Sequence, residues 1–260
     1  MKKIRVLIID DSAVVRQILT EILSSDNSIE VVGTAMDPQI AREKIKRLKP
    51  DVLTLDVEMP KMDGISFLRN LMRLHPLPVI MISSLTEKGA DITLKAMELG
   101  AVDFVSKPKV NVVHQLEEYS SEIISKIKAA ALANIRPGMI QKEEEIETEL
   151  ALDIEKRYST TVILKKSESR KPPRTTEKII AIGASTGGTE AIKEILMQMR
   201  PDSPGTVIAQ HIPSTFSAAF AKRMDSISPM AVREVEDGQM VAPGHVYIAP
   251  GSKHLILERE

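Results

Sequence analysis

The chain has 260 residues, 43% hydrophobic and 27% charged, with a formal net charge of −1. That length accommodates two domains with sizeable cores, and the near-neutral balance argues against a dominant nucleic-acid or anionic-membrane surface. Cysteine is absent, which excludes disulfides, thiolate chemistry and cysteine-ligated metal.

The N-terminal MKKIRVLIIDD carries basic residues, but its apolar run is short and ends in two aspartates. It reads as a first strand and not as a signal peptide. No apolar run approaches membrane-spanning length, so the default location is the cytoplasm. Arg5 to Ile9 reads as a strand, continuously apolar from Val6, and Ser12 then opens the helical pattern AVVRQILTEIL. Strand IEVVGTA, helix PQIAREKIKRL and strand DVLTLDVEM follow, with Asp56 near the carboxyl end of the third strand. Pro60, Asp63 and Gly64 form the turn after it. Helix SFLRNLMRLH, strand PVIMISS, helix DITLKAMELG, strand VDFVSKP and helix HQLEEYSSEIISKIKAAA complete the set. Strands alternating with helices in this way predict an α/β fold, a doubly wound five-stranded parallel sheet covered on both faces.

In such a sheet the carboxyl ends of the strands form the binding crevice. Asp10, Asp11 and Asp56 fall there, with Ser83 and Lys107 ending strands four and five. Three carboxylates in one crevice repel, and a hard divalent cation with oxygen ligands, Mg²⁺, answers that repulsion while keeping positions open for phosphate oxygens. A carboxylate beside such a metal can attack a phosphoryl donor while Lys107 absorbs developing charge. Any one of these aspartates alone reads as a turn or helix cap; all five residues together, each at a strand end, do not.

The segments DD, LDVEMPKMDG, MISS and DFVSKP resemble a response-regulator receiver domain. The resemblance implies Asp56 as phosphoacceptor, with Asp10, Asp11, Asp56 and the main-chain carbonyl of Glu58 at Mg²⁺. It also implies Ser83 as the switch hydroxyl, Lys107 as counter-ion to the phosphoryl group, and Phe104 as an aromatic that changes rotamer. Simple burial is the alternative for Phe104.

After Ala133 the composition changes. Pro137-Gly138 breaks the helix, and QKEEEIETELALDIEKR and KKSESRKPPRTTEK follow, charged and with little to bury. This reads as a solvated tether over 128–176, with a transient helix from Glu143 to Lys156. The expected division is a receiver over 1–127, this linker, and a second α/β parallel-sheet domain over 177–260.

The second domain opens on KIIAIGASTGGTE, Lys178 to Glu190. Four apolar residues predict a buried strand, Gly183 to Gly188 a tight turn, and AIKEILMQM a helix. The turn has the G-x-S-x-G form of a nucleophile elbow, which exposes Ser185 at a strand end. The helix N-terminus behind it, with Thr186, Gly187 and Gly188, suits a developing oxyanion. A glycine-rich turn that binds phosphate, or that merely turns, is the alternative. GTVIAQ then reads as a second buried strand delivering His211 at its end, where the base of a serine nucleophile has to be. A helix around SAAFAKRMD and short strands and turns in AVREVED, HVYIAPG and HLILERE complete the chain. His245 and His254 read as structural or solvated. Past His211 the aspartates are Asp225 and Asp237, and neither sits at the end of a parallel strand to orient the imidazole.

A receiver followed by a charged linker, IGASTGGTEAI, AQHIPSTF and PGHVYIAPG is similar to the chemotaxis protein-glutamate methylesterase family (CheB). The resemblance implies hydrolysis of glutamate methyl esters on methyl-accepting chemoreceptors, glutamine deamidation in many members, and a chemotaxis histidine kinase as phosphodonor. No nucleic acid and no membrane insertion enter this scheme. Ser185 is then nucleophile, His211 general base and Thr186 a lining residue, with no cofactor for the esterase reaction. The family's third triad residue lies in a T-G-M-G-x-D-G segment downstream of the position of Glu260. The expectation is therefore a catalytic domain that lacks its C-terminal part, and losing an orienting carboxylate costs about 10⁴ in turnover. A receiver whose impaired output domain acts as a phosphate sink or docking module is the alternative.

Overall fold

The computed structural model describes residues 2–59, 64–84, 86–107, 113–135 and 178–258. Most of the predicted linker, with its Glu143–Lys156 helix, lies outside these residues, as do Pro60 and Asp63 of the turn after the third strand.

The first unit runs β1 (Ile4–Ile9), α1 (Ala13–Ser24), β2 (Ile29–Ala35), α2 (Pro38–Leu48), β3 (Val52–Asp56), α3 (Gly64–Leu74), β4 (Val79–Ser83), α4 (Glu87–Glu98), β5 (Asp103–Ser106) and α5 (Val113–Ala131). Its strands form one sheet in the order β2-β1-β3-β4-β5, all parallel. The apolar strands need no alternation because both faces are covered. Leu7, Ile9, Leu53, Leu55 and Met81 pack towards α2, α3 and α4. Val6, Ile8, Val52, Ile80 and Ile82 pack towards α1 and α5. Helix starts follow capping chemistry: Ser12 Oγ accepts from the Val15 N–H, and Asp37 from the Gln39 and Ile40 N–H groups, donors that the first helical turn leaves unpaired. Gly64 packs so closely under the end of β3 that a Cβ there would lie 2.2 Å from the Asp56 carbonyl oxygen.

The second unit runs β6 (Ile180–Ala184), α6 (Gly188–Gln198), β7 (Thr206–Gln210), α7 (Ser214–Ile227), β8 (Ala231–Glu234) and β9 (His245–Ile248). Its sheet has the order β6-β7-β9-β8, again all parallel. One face packs through Ile208, Val232, Val246 and Ile248 against Ile192 and Leu196 of α6 and Phe216, Phe220 and Met224 of α7.

Two local expectations change. The strand opening at Ile179 is not buried: among the described residues β6 lies at a sheet edge, paired with β7 alone, and Ala181 and Gly183 are exposed. Its apolar side chains Ile182 and Ala184 serve the helix-covered face alone. The HLILERE segment forms no strand over 254–258; both sides of its neighbour in sequence, β9, are already taken by β7 and β8.

The two units share one core. Phe104 of β5 stacks on Phe216 of α7 with ring centroids 4.6 Å apart and planes at 21°. Helix α4 packs on α7, and Glu98 at its end pairs with Arg223.

Candidate functional site

At the carboxyl ends of β1 and β3 the structure gathers Asp10, Asp11 and Asp56. A carboxylate oxygen from each lies within 4.8 Å of the others. Asp10 and Asp56 are fully buried. Asp10 Oδ1 accepts from the Ser12 N–H at 2.8 Å, and Asp56 Oδ1 from the Glu58 N–H at 3.1 Å. Lys107 Nζ donates to Asp56 Oδ2 at 2.8 Å and lies 3.8 Å from Asp10 Oδ2.

One ammonium among three carboxylates leaves the pocket short of positive charge. Burial pushes Asp56 up to about 6, with Lys107 only partly offsetting it and Asp10 adding repulsion. Burial also raises Asp10. Lys107 is desolvated too, but its hydrogen bond to Asp56 and the field of both aspartates outweigh that and raise it. Asp10 Oδ2 is buried without a hydrogen-bond partner among the described residues. A buried lone pair aimed among carboxylates is a place for a cation.

Ser83 ends β4, but its hydroxyl is turned towards α4. It lies 3.3 Å from the carbonyl oxygens of Ser84 and Gly89, and 2.7 Å from Thr93 Oγ1. Thr93, itself buried, also donates to the Gly89 carbonyl at 2.6 Å. Phe104 is 2% exposed, with the Lys126 ammonium 5.3 Å from its ring centroid. Lys126, only 4% exposed, donates to the Phe104 carbonyl at 2.7 Å and pairs with Asp103 and Glu122 at 3.3 and 3.1 Å. Sequence reasoning did not single out Thr93, Lys126 or Phe216, nor Arg16, whose guanidinium donates to the Asp10 and Asp11 carbonyls at 2.8 and 2.9 Å.

In the second sheet, Ala184 ends β6 directly opposite Gln210, which ends β7. Ser185 and His211 therefore leave adjacent parallel strands side by side, and the His211 N–H donates to the Ala184 carbonyl at 3.0 Å. Both residues are exposed. Gly187 takes φ of 75° as the residue before α6, a left-handed conformation that side chains resist. This lets α6 begin at Gly188, three residues ahead of the apolar pattern. The serine thus precedes a helix N-terminus with its positive dipole end. A cleft of about 1460 Å³ opens beside this edge. His211, Ser214 and His254 line it from one side, and Glu118, Glu122 and Ser125 of α5 from the other.

No carboxylate among the described residues contacts His211. Asp225 Oδ1 is engaged with the Val232 N–H at 2.8 Å, and Asp237 is exposed in a turn. His245 starts β9 with Nδ1 3.0 Å from the Pro243 carbonyl, a structural position.

Residues 6–116 match the response regulator receiver domain family, and residues 180–260 match the CheB methylesterase family. A protein-glutamate methylesterase/protein-glutamine glutaminase of Hydrogenovibrio crunogenus is 54% identical over 275 residues, covering 100% of this chain and 72% of that protein. The chain belongs to this family of receiver-linked methylesterases. A relative of the same name in Geobacter metallireducens is 50% identical, over 98% of this chain and 68% of its own length. Among solved structures, the chain is similar to the response regulator domain of Thermotoga maritima CheB, with 44% identity and TM-score 0.46 over 51% of this chain and 99% of that one. It is also similar to the methylesterase catalytic domain of the same organism's CheB, with 43% identity and TM-score 0.32 over 33% and 46% of the two chains. In this methylesterase no described helix is long and apolar enough to cross a membrane.

Proposed function

We propose that this chain is a phosphorylation-regulated esterase that hydrolyses glutamate γ-methyl esters on chemoreceptor helices, and the corresponding glutamine amides. The observation that carries the reading is the pairing of Ala184 with Gln210, which sets Ser185 and His211 side by side at the ends of β6 and β7. Ser185 Oγ attacks the ester carbonyl as His211 accepts its proton. The oxyanion forms at the start of α6, against backbone N–H groups and the helix dipole. Collapse expels methanol, which takes the proton from His211, and water releases the glutamate by the reverse sequence. With an amide substrate the leaving group is ammonia.

Regulation begins at Asp56. Asp10, Asp11, Asp56 and the Glu58 carbonyl would hold Mg²⁺; the hard oxygen set and the unpartnered Asp10 Oδ2 fit it. When bound, the ion neutralises charge on the transferring phosphoryl group. Asp56 accepts that group from a histidine kinase, and Lys107 pairs with it. Ser83 must leave its contacts with Thr93 and the Gly89 carbonyl to reach a phosphoryl group. Both partners belong to α4, the helix that packs on α7. Phe104 links β5 to the same helix, and α7 starts three residues after His211. The unphosphorylated receiver therefore favours the packed arrangement, and phosphorylation releases it.

The test is methanol release from methylated chemoreceptor, with and without phosphodonor. Ser185→Ala and His211→Gln abolish release, and Asp56→Ala keeps the basal rate but loses stimulation. Undiminished stimulation in Asp56→Ala sinks the regulatory scheme.

A further inference from the structure

We infer that Gln210 is a positioning residue that holds the nucleophile turn and the base-bearing turn in one fixed arrangement and aims the Thr186 N–H at the oxyanion. This rests on the reading of Ser185 and His211 as nucleophile and base. Gln210 is the last residue of β7, and its side chain turns inward to 8% exposure. Its Nε2 lies 3.0 Å from the Ser185 carbonyl oxygen and 3.5 Å from the His211 carbonyl oxygen. One amide carries two protons, so a single group ties together the backbones of both residues.

The Ser185 carbonyl also accepts from the Gly188 N–H at 2.7 Å. Two donors thus fix that oxygen on the inner side of the turn. The peptide bond is planar, and no cis bond occurs among the described residues, so the Thr186 N–H points opposite to the Ser185 carbonyl. It is aimed outward and donates to no group among the described residues. The N–H of the residue after the nucleophile is the usual first donor of an elbow's oxyanion hole. Gln210 is therefore placed to set the direction of that donor from behind.

The fit is mutual. A Cβ at Gly188 would lie 2.2 Å from Gln210 Oε1 and 2.7 Å from the Ala184 Cβ, so only glycine admits the amide. Oε1 itself is buried without a partner among the described residues, a cost to stability that a leucine of similar size would not incur. The two carbonyls that it bonds give the amide a role in the turn beyond packing.

The experiment compares wild type, Gln210→Leu, Gln210→Glu and Ser185→Ala in the full chain. Melting temperature, kcat and KM on methylated receptor, and hydrogen exchange at the Gly188 amide are measured together. Gln210→Leu keeps or raises the melting temperature and leaves KM within about threefold, while kcat falls by about 10²- to 10³-fold, the range for a lost oxyanion donor. The Gly188 amide, bonded to the carbonyl that Gln210 anchors, exchanges at least about tenfold faster. Gln210→Glu, which sets acceptors against two carbonyls, loses more. If Ser185→Ala retains activity, the esterase reading fails. If Ser185→Ala is dead but Gln210→Leu keeps kcat, the positioning role alone fails. Unchanged Gly188 exchange in Gln210→Leu overturns it whatever the activity.

Discussion

Replacing Phe104 by leucine removes a ring from the junction of the two units while keeping an apolar side chain in place. In the packed arrangement that ring is 2% exposed, Phe216 is fully buried, and their centroids are 4.6 Å apart. A stacked pair of this kind contributes about 0.5–1.5 kcal/mol beyond the area it buries. That energy belongs to the packed state alone, so its loss shifts the balance towards separation by about 2- to 13-fold. While the packed state predominates, the basal esterase rate rises by that factor. The fully phosphorylated rate does not change, so the stimulation ratio falls correspondingly. The assay is methanol release with and without acetyl phosphate, with Asp56 phosphorylation measured in parallel. Phe216→Leu gives the same effect, and the double variant adds little to either, as contact between the two rings requires. A normal basal rate and full stimulation in Phe104→Leu, with Asp56 phosphorylated normally, would refute the reasoning.

The acidic pocket and its surroundings give three further expectations. Asp56 titrates near 6 in the folded protein and near 3.8 in a free chain, because burial penalises its charge; the folded state holds the proton more tightly, so stability falls as pH rises between these values. In Mg²⁺-free buffer, Asp56→Asn therefore stabilises the receiver at pH 8 by about 3 kcal/mol, at 1.36 kcal/mol per pH unit across that interval. The gain vanishes near pH 4, and equal urea midpoints at pH 8 would contradict it. Mg²⁺ stabilises by about 2.7 kcal/mol at a hundred times its Kd, an effect that Asp10→Asn weakens; a melting temperature indifferent to Mg²⁺ would remove the ion from the site. Lys126→Met leaves Asp103 buried and unpaired, costing about 3–5 kcal/mol, and adding Asp103→Asn recovers most of it in chemical denaturation.

The residues that mark the receiver were legible because parallel topology converts sequence order into place. Each strand delivers its last residues to the same edge, so Asp10, Asp56, Ser83 and Lys107 could be gathered without any tertiary information. The same rule brought Ser185 and His211 to one edge. What remained hidden depends on distant partners. Nothing in local periodicity says that Thr93 meets Ser83, that Phe216 meets Phe104, or that Gln210 reaches back to Ser185. The burial of β6 was misjudged for the same reason. Ile179–Ile182 is as apolar as a central strand, but edge placement is decided by which strands pair, not by the strand's own composition. In HLILERE the short apolar run Leu255–Leu257 is present, but it pairs with no described strand.

The ring pair between β5 and α7 makes communication in this protein reciprocal. On the proposed reading, phosphoryl chemistry at Asp56 and substrate at Ser185 both favour separation of the same two surfaces. Thermodynamic linkage then requires each to assist the other by one common factor. Receptor bound at the esterase raises the receiver's affinity for Mg²⁺ and a phosphoryl analogue by as much as those ligands raise its affinity for receptor. A methylated receptor is thus an effector of the signalling half as well as its target, and the abundance of unhydrolysed ester is itself an input to the switch.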